Sequence, residues 1–524
     1  VGAVGASSAA PHAVAPLGGS ALLRASGPLA AGRRHFAGLE KEPEYASGDL
    51  SGYKLFHQNK PFELRNGGSL PELKIAWESW GTLNARKNNA ILLQCGMSAS
   101  SHAASHKSNP SPGWWEEYIG PGKTLDTNLF YVICTNNLGG CYGSTGPSSK
   151  DPSGKRYGSS FPRFQVADQV AAQMLLLDSL GIEKLHAAVG SSLGGMQSVC
   201  AAGLFPERVG KMVSISACAK SFPGSMAFRH AQRKAIMSDP FWNNGDYYDG
   251  PLPEAGLKLA RQLGTITYRS GKEWQQRFGQ NRKTDCGTGE FKQFGLEHEW
   301  EIEHYLAHQG KKWVNNYDPN SMLWISKAMD GFSMEAPDAD GRLCLVEGLK
   351  KAVDIPSLVI GVQHDVLFPV WQQKEIADSL RMAGNKSVVY YELDCVFGHD
   401  SFLLDAVSIG PAVKGHLEQE PGGAMHLWAD MAESTAKVLQ AVTSSYCTAD
   451  AMRAMFRSLQ TGDDENVDKI RLQNVCKMMW KGIDPAKVDT LFENKLPGKA
   501  VDMQEFLSLL PEMMAAQGNE AFLP

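Results

Sequence analysis

Short apolar runs rich in strand-forming residues recur from residue 90 onward, separated by stretches of helical periodicity, and few architectures accept that alternation. The runs cover 90–94, 131–134, 185–189, 212–215 and 358–362. Between Asp168 and Leu180, Val170, Met174, Leu177 and Leu180 recur at helical spacing, and Gly181 stops the helix before the next run. Strand, helix, strand in this order predicts an α/β fold with a mostly parallel sheet covered by helices. The pattern is lost from about 221 to 320, where polar, aromatic and charged residues mix around helical phrases at 256–263 and 298–308. Such an insertion between strands reads as a helical cap, bounded at about 221–330.

Within this frame, Gly190-Ser191-Ser192-Leu193-Gly194 fits G-x-S-x-G, after the apolar run 185–189 and before the helix-compatible 196–202. The bare pattern also fits an ordinary glycine-rich turn. Strand before and helix after point instead to a nucleophile elbow, where small neighbours admit the tight backbone around a nucleophilic Ser192. Gly190, Gly194 and Gly195 supply that room, and the helix start offers the N–H of Leu193 to a developing oxyanion. An elbow serine needs a base and an orienting carboxylate, expected after later strands in the order Ser, Asp, His. The run 357–362 leads to Asp365, and the run 388–391 leads to His399. Asp365 would hold the His399 imidazole in one tautomer, and His399 would take the proton from Ser192. His364 is the rival beside Asp365, ranked lower because its loop position suits the carboxylate.

Several longer phrases are more specific than this triad. They are Ala76-Trp77-Glu78-Ser79-Trp80-Gly81, Pro112-Gly113-Trp114-Trp115, Gly120-Pro121-Gly122, 137–147 and Ser192-Leu193-Gly194-Gly195-Met196-Gln197. On these, the chain from about Tyr53 to about Gly415 resembles the homoserine O-acetyltransferase family of the α/β-hydrolase superfamily. The resemblance implies an α/β-hydrolase fold and a ping-pong transfer of acetyl from acetyl-CoA, as co-substrate, to homoserine through an acyl-Ser192 intermediate, in methionine biosynthesis. No bound cofactor or metal is implied. The segment 96–102 resembles the family's oxyanion loop, so the N–H of Met97 would join that of Leu193. The family's amino-acid-binding positions carry over to Arg261, Tyr268 and Asp400, a cation and an anion for a zwitterionic acceptor. Arg233 is family-like with its role open, and Ser191 stands where many members have Gly, which should alter the elbow's approach to substrate. A serine acceptor, a succinyl donor, a hydrolase of the same fold and a noncatalytic scaffold remain as alternatives.

The rest of the 524 residues are assigned by composition and periodicity. Residues 1–39 are rich in Ala, Gly and Ser, carry Arg24, Arg33 and Arg34, and have no acid before Glu40, as in a transit peptide. Arg34-His35-Phe36-Ala37 resembles a mitochondrial processing pattern, with a plastid or cytoplasmic location as alternatives. The acyltransferase domain would take 40–445, and 446–524 a helical module resembling a degenerate EF-hand pair. Its stripes are Met452, Met455, Phe456 and Leu459; Leu472, Val475, Cys476 and Met479; Val488, Leu491 and Phe492; and Phe506, Leu509, Leu510 and Met513. Aligning Val467 with Val501 places Arg471 where the first loop needs its bidentate Glu, while the second keeps Asp502 and Glu505, so plain packing is expected before calcium binding. A formal net charge of -5 without a long basic run speaks against a nucleic-acid partner. No run of about 18 apolar residues predicts a membrane span. Ten cysteines lack metal-ligand spacing and read as reduced thiols in an intracellular compartment, Cys134 and Cys200 as buried ones. Small-molecule substrates, a homodimer through the cap and a protein partner for the terminal module complete the expectations.

Overall fold

The computed structural model describes residues 52–282, 299–314, 316–419, 467–469, 472–473, 485–496 and 500–509. The expected transit segment lies outside them, as do Met452, Met455, Phe456, Leu459, Arg471, Val475, Cys476, Met479, Leu510 and Met513.

Eight strands form one mixed sheet: β1 (Lys54–Gln58), β2 (Leu73–Trp80), β3 (Ala90–Gln94), β4 (Tyr131–Thr135), β5 (Ala187–Ser191), β6 (Met212–Ile215), β7 (Ser357–Val362) and β8 (Val388–Leu393). Their order across the sheet is β1-β2-β4-β3-β5-β6-β7-β8. β2 is antiparallel to both neighbours, with Ile75 opposite Phe56 and Trp77 opposite Thr135, and every other pair is parallel. The apolar runs are explained by this position: β3, β5, β6 and β7 are buried along their whole length. Alternate side chains then go to opposite faces. Leu92 and Ile133 join the core under α1 (Val166–Ser179) and α2 (Leu193–Leu204), while Ile91, Leu93, Val132 and Cys134 join the core around Trp114, Trp115 and Tyr118.

The observed α1 begins before Asp168 because Asp168 turns back as a cap, its Oδ2 accepting from the N–H of Gln165 at 2.7 Å. Gly181 ends it with φ +66°. The run expected at 185–189 becomes a strand two residues later: Leu185 makes only an isolated bridge to Val209, and the ladder continues through Gly190 to the elbow.

The chain leaves the sheet after β6 and returns in β7, and the segment between holds α3 (Pro223–Met237), α4 (Glu254–Tyr268), α5 (Gly271–Arg277), α6 (Glu301–Val314) and α7 (Pro319–Asp330). Pro223 and Pro319 sit in first turns, where a missing N–H costs nothing, and Asp318 caps α7 by accepting from the N–H of Ser321 at 2.8 Å. Ile236, Leu257, Ala260, Trp313, Met322 and Leu323 pack together between these helices. After β7 and β8 come α8 (Val370–Met382) and α9 (Ala406–Glu418), the latter burying Ile409, Val413 and Leu417.

In the terminal region, Val467–Asp468 pairs antiparallel with Ala500–Val501, placing Val467 opposite Val501. Leu472, Val488, Phe492, Phe506 and Leu509 are buried. Asp502 and Glu505 exchange hydrogen bonds with each other's backbone N–H, at 2.8 and 2.9 Å, and so cap the helix Met503–Ser508. No helix among the described residues is long and apolar enough to cross a membrane.

Candidate active site

Three of the turns that follow β5, β7 and β8 converge at the carboxyl edge of the sheet, where parallel α/β sheets place their ligands. Ser192 caps α2 with φ +57° and ψ -123°, a conformation that side chains resist. Its N–H donates to the carbonyl of Ile215 at 2.9 Å, and its own carbonyl accepts from the N–H of Met196 at 3.1 Å. A Cβ on Gly190 would stand 2.1 Å from the Gly194 carbonyl oxygen, and one on Gly194 would stand 1.8 Å from that of Gln94. Only glycine fits either place.

Asp365 is anchored before it reaches the histidine. Its Oδ1 accepts from the N–H groups of Leu367 and Phe368 at 2.9 and 2.7 Å, which leaves Oδ2 facing Nδ1 of His399 at 2.7 Å. The anionic acceptor puts the imidazole proton on Nδ1, so the lone pair of Nε2 faces Ser192 Oγ at 3.0 Å. Burial is the largest effect on His399 and opposes its charging, but the charge and hydrogen bond of Asp365 and the charge of Asp400 outweigh it, raising the pKa. The expected Ser192, Asp365 and His399 are therefore brought together in relay geometry. His364 pairs instead with Asp394 at 3.1 Å and takes no part.

The cavity over Ser192 is lined by Gly96, Met97, Ser98, Trp114, Arg229, Gln232, Thr267, Tyr268, Met329, Leu367, His399, Asp400 and Phe402, among others. Leu193 is the first residue of α2, so its N–H lies outside the helix ladder and beside Ser192. Met97 is held by Tyr317 of the cap, whose hydroxyl donates to its carbonyl at 2.7 Å. Tyr268 and Asp400 both line the cavity, whereas Arg261 stands over the Tyr268 ring at 5.4 Å and the Trp313 ring at 4.3 Å and is not among the lining residues described. Asp400 pairs with Nε of Arg269 at 3.1 Å, and Arg269 Nη1 also meets Glu273 at 2.6 Å. Ser191 is buried away from the lining. Cys134 and Cys200 are buried and free, and burial pushes the Cys200 thiol up to about 12.

Two supports were not legible as such in the sequence. Gln197 of the Gly-Gly-Met-Gln phrase donates through Nε2 to Asn137 at 2.7 Å and Gln169 at 2.9 Å, and Asn137 donates to the Gly96 carbonyl at 3.3 Å. This chain of amides ties the elbow helix to the loop bearing Met97. The second support is Glu78, 3% exposed. Its Oε1 accepts from Ser101 Oγ at 2.7 Å, and its Oε2 faces His102 Nδ1 at 2.7 Å and His106 Nε2 at 2.6 Å. These three ligand-type atoms lie within 4.8 Å of one another, as a cation site would require. The protons argue otherwise: His106 Nδ1 accepts from the N–H of Ser108 at 3.2 Å, so its proton sits on Nε2. His102 meets acceptors at both nitrogens, Glu78 and the Ser111 carbonyl at 2.7 Å, an arrangement that favours the imidazolium, and its pKa is raised, with the Glu78 hydrogen bond and charge outweighing burial. The cluster is a buried ion pair that holds the loop after β3.

Comparison with known proteins supplies the family. Residues 89–406 match the family model described as alpha/beta hydrolase fold. A protein named serine O-succinyltransferase from Emericella nidulans is 47% identical over 440 residues, 73% of this chain and 84% of that one. Among solved structures, esterase E22 superposes with TM-score 0.62 at 29% identity, covering 70% of this chain and all (100%) of its own. Homoserine O-acetyltransferase from Bacillus anthracis superposes with TM-score 0.64 at 26% identity, covering 71% of this chain and 99% of its own.

Proposed function

The chain belongs to the alpha/beta hydrolase fold family, and we propose that, as an O-acyltransferase within it, it moves a succinyl group from succinyl-CoA to the hydroxyl of serine. The observation that carries a transfer reaction is the relay Asp365–His399–Ser192, set at 2.7 and 3.0 Å inside a mostly apolar cavity beneath a helical cap. The choice of serine and succinyl rests on the relative named serine O-succinyltransferase that is 47% identical over 73% of this chain.

In the first half-reaction, Ser192 Oγ loses its proton to His399 Nε2 and attacks the thioester carbonyl. The N–H groups of Leu193 and Met97 take the oxyanion, the C–S bond breaks, and the proton passes from His399 to the CoA sulfur. In the second, His399 removes the proton of the acceptor hydroxyl, whose oxygen attacks the acyl-Ser192 carbonyl, and Ser192 recovers its proton as the ester leaves. Asp365 keeps the imidazole in the tautomer both steps require. Tyr268, Asp400 and, through Tyr268, Arg261 would grip the amino-acid acceptor, and the apolar lining would disfavour water.

Purified protein given acetyl- or succinyl-CoA with serine, homoserine or no acceptor tests this. CoA release should be fastest with succinyl-CoA and serine, yield O-succinylserine, and vanish in Ser192→Ala. Preference for acetyl-CoA and homoserine would reverse the substrate assignment, and release independent of acceptor would make the protein an esterase.

A further inference from the structure

Trp324, Lys327 and Ala328 of α7, with Gly331 just past its end, are spaced so that they form one stripe along the helix, and all four line a cleft of about 150 Å³. The facing wall is Asn66 and the approach to α1, where Arg163 precedes the N-cap Gln165. Met329, which lines the catalytic cavity, falls on another side of α7, and the two sets of described lining residues share no member. Arg163 and Lys327 bring two exposed cations to the cleft, and neither side chain is in an ion pair among the described residues. No carboxylate is among the described lining residues. The acids nearest to them in sequence are committed elsewhere. Asp330 accepts from Arg229 Nε at 2.7 Å and from Arg233 Nη2 at 2.6 Å, and Asp168 accepts from the N–H groups of Arg65 and Gln165 at 3.0 and 2.7 Å.

Two exposed cations by themselves would be satisfied by water. Trp324 sets this cleft apart: its indole Nε1 is buried and has no hydrogen-bond partner among the described residues. A buried donor is unfavourable until something accepts from it, and an indole N–H can only donate. Asn66 spends its Oδ1 on accepting from Gln165 Nε2 at 2.6 Å, which leaves its amide Nδ2 as a donor. The groups gathered here are therefore two cations and two neutral donors, and the ligand they suit is an acceptor that carries negative charge. We propose that this cleft binds a phosphate-type oxyanion, free or carried on a small organic molecule, apart from the acyl-transfer site. A tetrahedral oxyanion turns acceptor oxygens to both walls at once, towards Arg163 and Asn66 on one side and Lys327 and Trp324 on the other. The inference is independent of which acyl group Ser192 transfers.

Calorimetric titration of the full chain with inorganic phosphate, at ionic strength held constant with chloride, tests this. Binding should saturate with a Kd below about 1 mM. Arg163→Gln and Lys327→Gln should each weaken it at least about fivefold, and Trp324→Phe, which keeps a ring and removes the N–H, at least about threefold. Saturating CoA should leave the phosphate affinity unchanged. No saturable binding overturns the site, and an affinity equal to wild type in the two cation variants places the phosphate elsewhere and overturns it as well. Weakening in the cation variants with none in Trp324→Phe reduces the cleft to diffuse surface charge, and displacement by CoA makes it part of the donor site; either result overturns the proposal. Arg163 and Lys327 are exposed, so their variants keep the proposal testable should Trp324→Phe not fold. Titration with O-phosphoserine separates the sources: tighter binding than inorganic phosphate assigns the site to an organic phosphate, weaker binding to the free ion, and both uphold it.

Discussion

Ser192 takes a φ of +57°, and His399 Nε2 stands 3.0 Å from its hydroxyl, so the proposed chemistry depends on the protonation of one imidazole. His399 acts as a base only when neutral. Because Asp365 and Asp400 together outweigh burial and raise its pKa, kcat/KM should fall as pH drops through a value above the ordinary imidazole figure of about 6.5. Asp365→Asn should move that inflection downward and cut the rate by about 10³–10⁴-fold. A pH–rate profile of both proteins checks this, and an unshifted inflection would separate Asp365 from the base. The residues of this relay were legible because each follows a recognisable apolar run. Arg229 and Arg233, one helical turn apart on α3, were not: nothing in their spacing says that both meet a single carboxylate 97 residues or more downstream.

At the scale of elements, β2 holds the loop that bears Met97 through Glu78, a residue that the phrase Ala76-Trp77-Glu78-Ser79-Trp80-Gly81 marked without explaining. Burial opposes charge on both partners, yet their mutual hydrogen bond and charge, with those of Ser101, His106 and the Ser111 carbonyl, lower the pKa of Glu78 and raise that of His102. The stabilisation from His102 is complete below its unfolded pKa and disappears as pH rises through the higher folded one. That from Glu78 is complete above its unfolded pKa and disappears as pH falls through the lower folded one. Urea unfolding should therefore show Glu78→Gln to be less stable by about 3–5 kcal/mol, the cost of stranding a buried cation, with the largest difference at about pH 4.5–6.5. A difference independent of pH would argue against the ion pair. The approximate places of strands and of α1 were readable from apolar period. Their ends were not, since Asp168 turns back to cap α1 and β5 runs on to the elbow through contacts made by residues distant in sequence.

For the whole molecule, the cap meets the site on the sheet at two points. Tyr317 of the cap fixes the carbonyl of Met97, and Arg261 lies over Tyr268, which lines the cavity. Arg261→Ala should therefore weaken the acceptor half-reaction at least about tenfold, by loosening Tyr268, while acylation of Ser192 changes less. Stopped-flow release of CoA reads the first half and product formation the second. Equal loss in both halves would make Arg261 a support of the cap rather than of the acceptor.

Local order alone determined the α/β alternation, the elbow with its crowded glycines, and the succession Ser192, Asp365, His399, because strand burial, helix capping and tight turns each impose residue types over a few consecutive positions. What required tertiary structure was every interaction between segments far apart in the chain. Asp330 sharing its charge between two arginines, Glu78 meeting His102 and His106, Asp400 turning to Arg269, and His364 falling outside the relay are all set by where helices and loops come to rest on the sheet. The physical reason is that charge compensation inside a folded protein is a property of position in space, which no periodicity records.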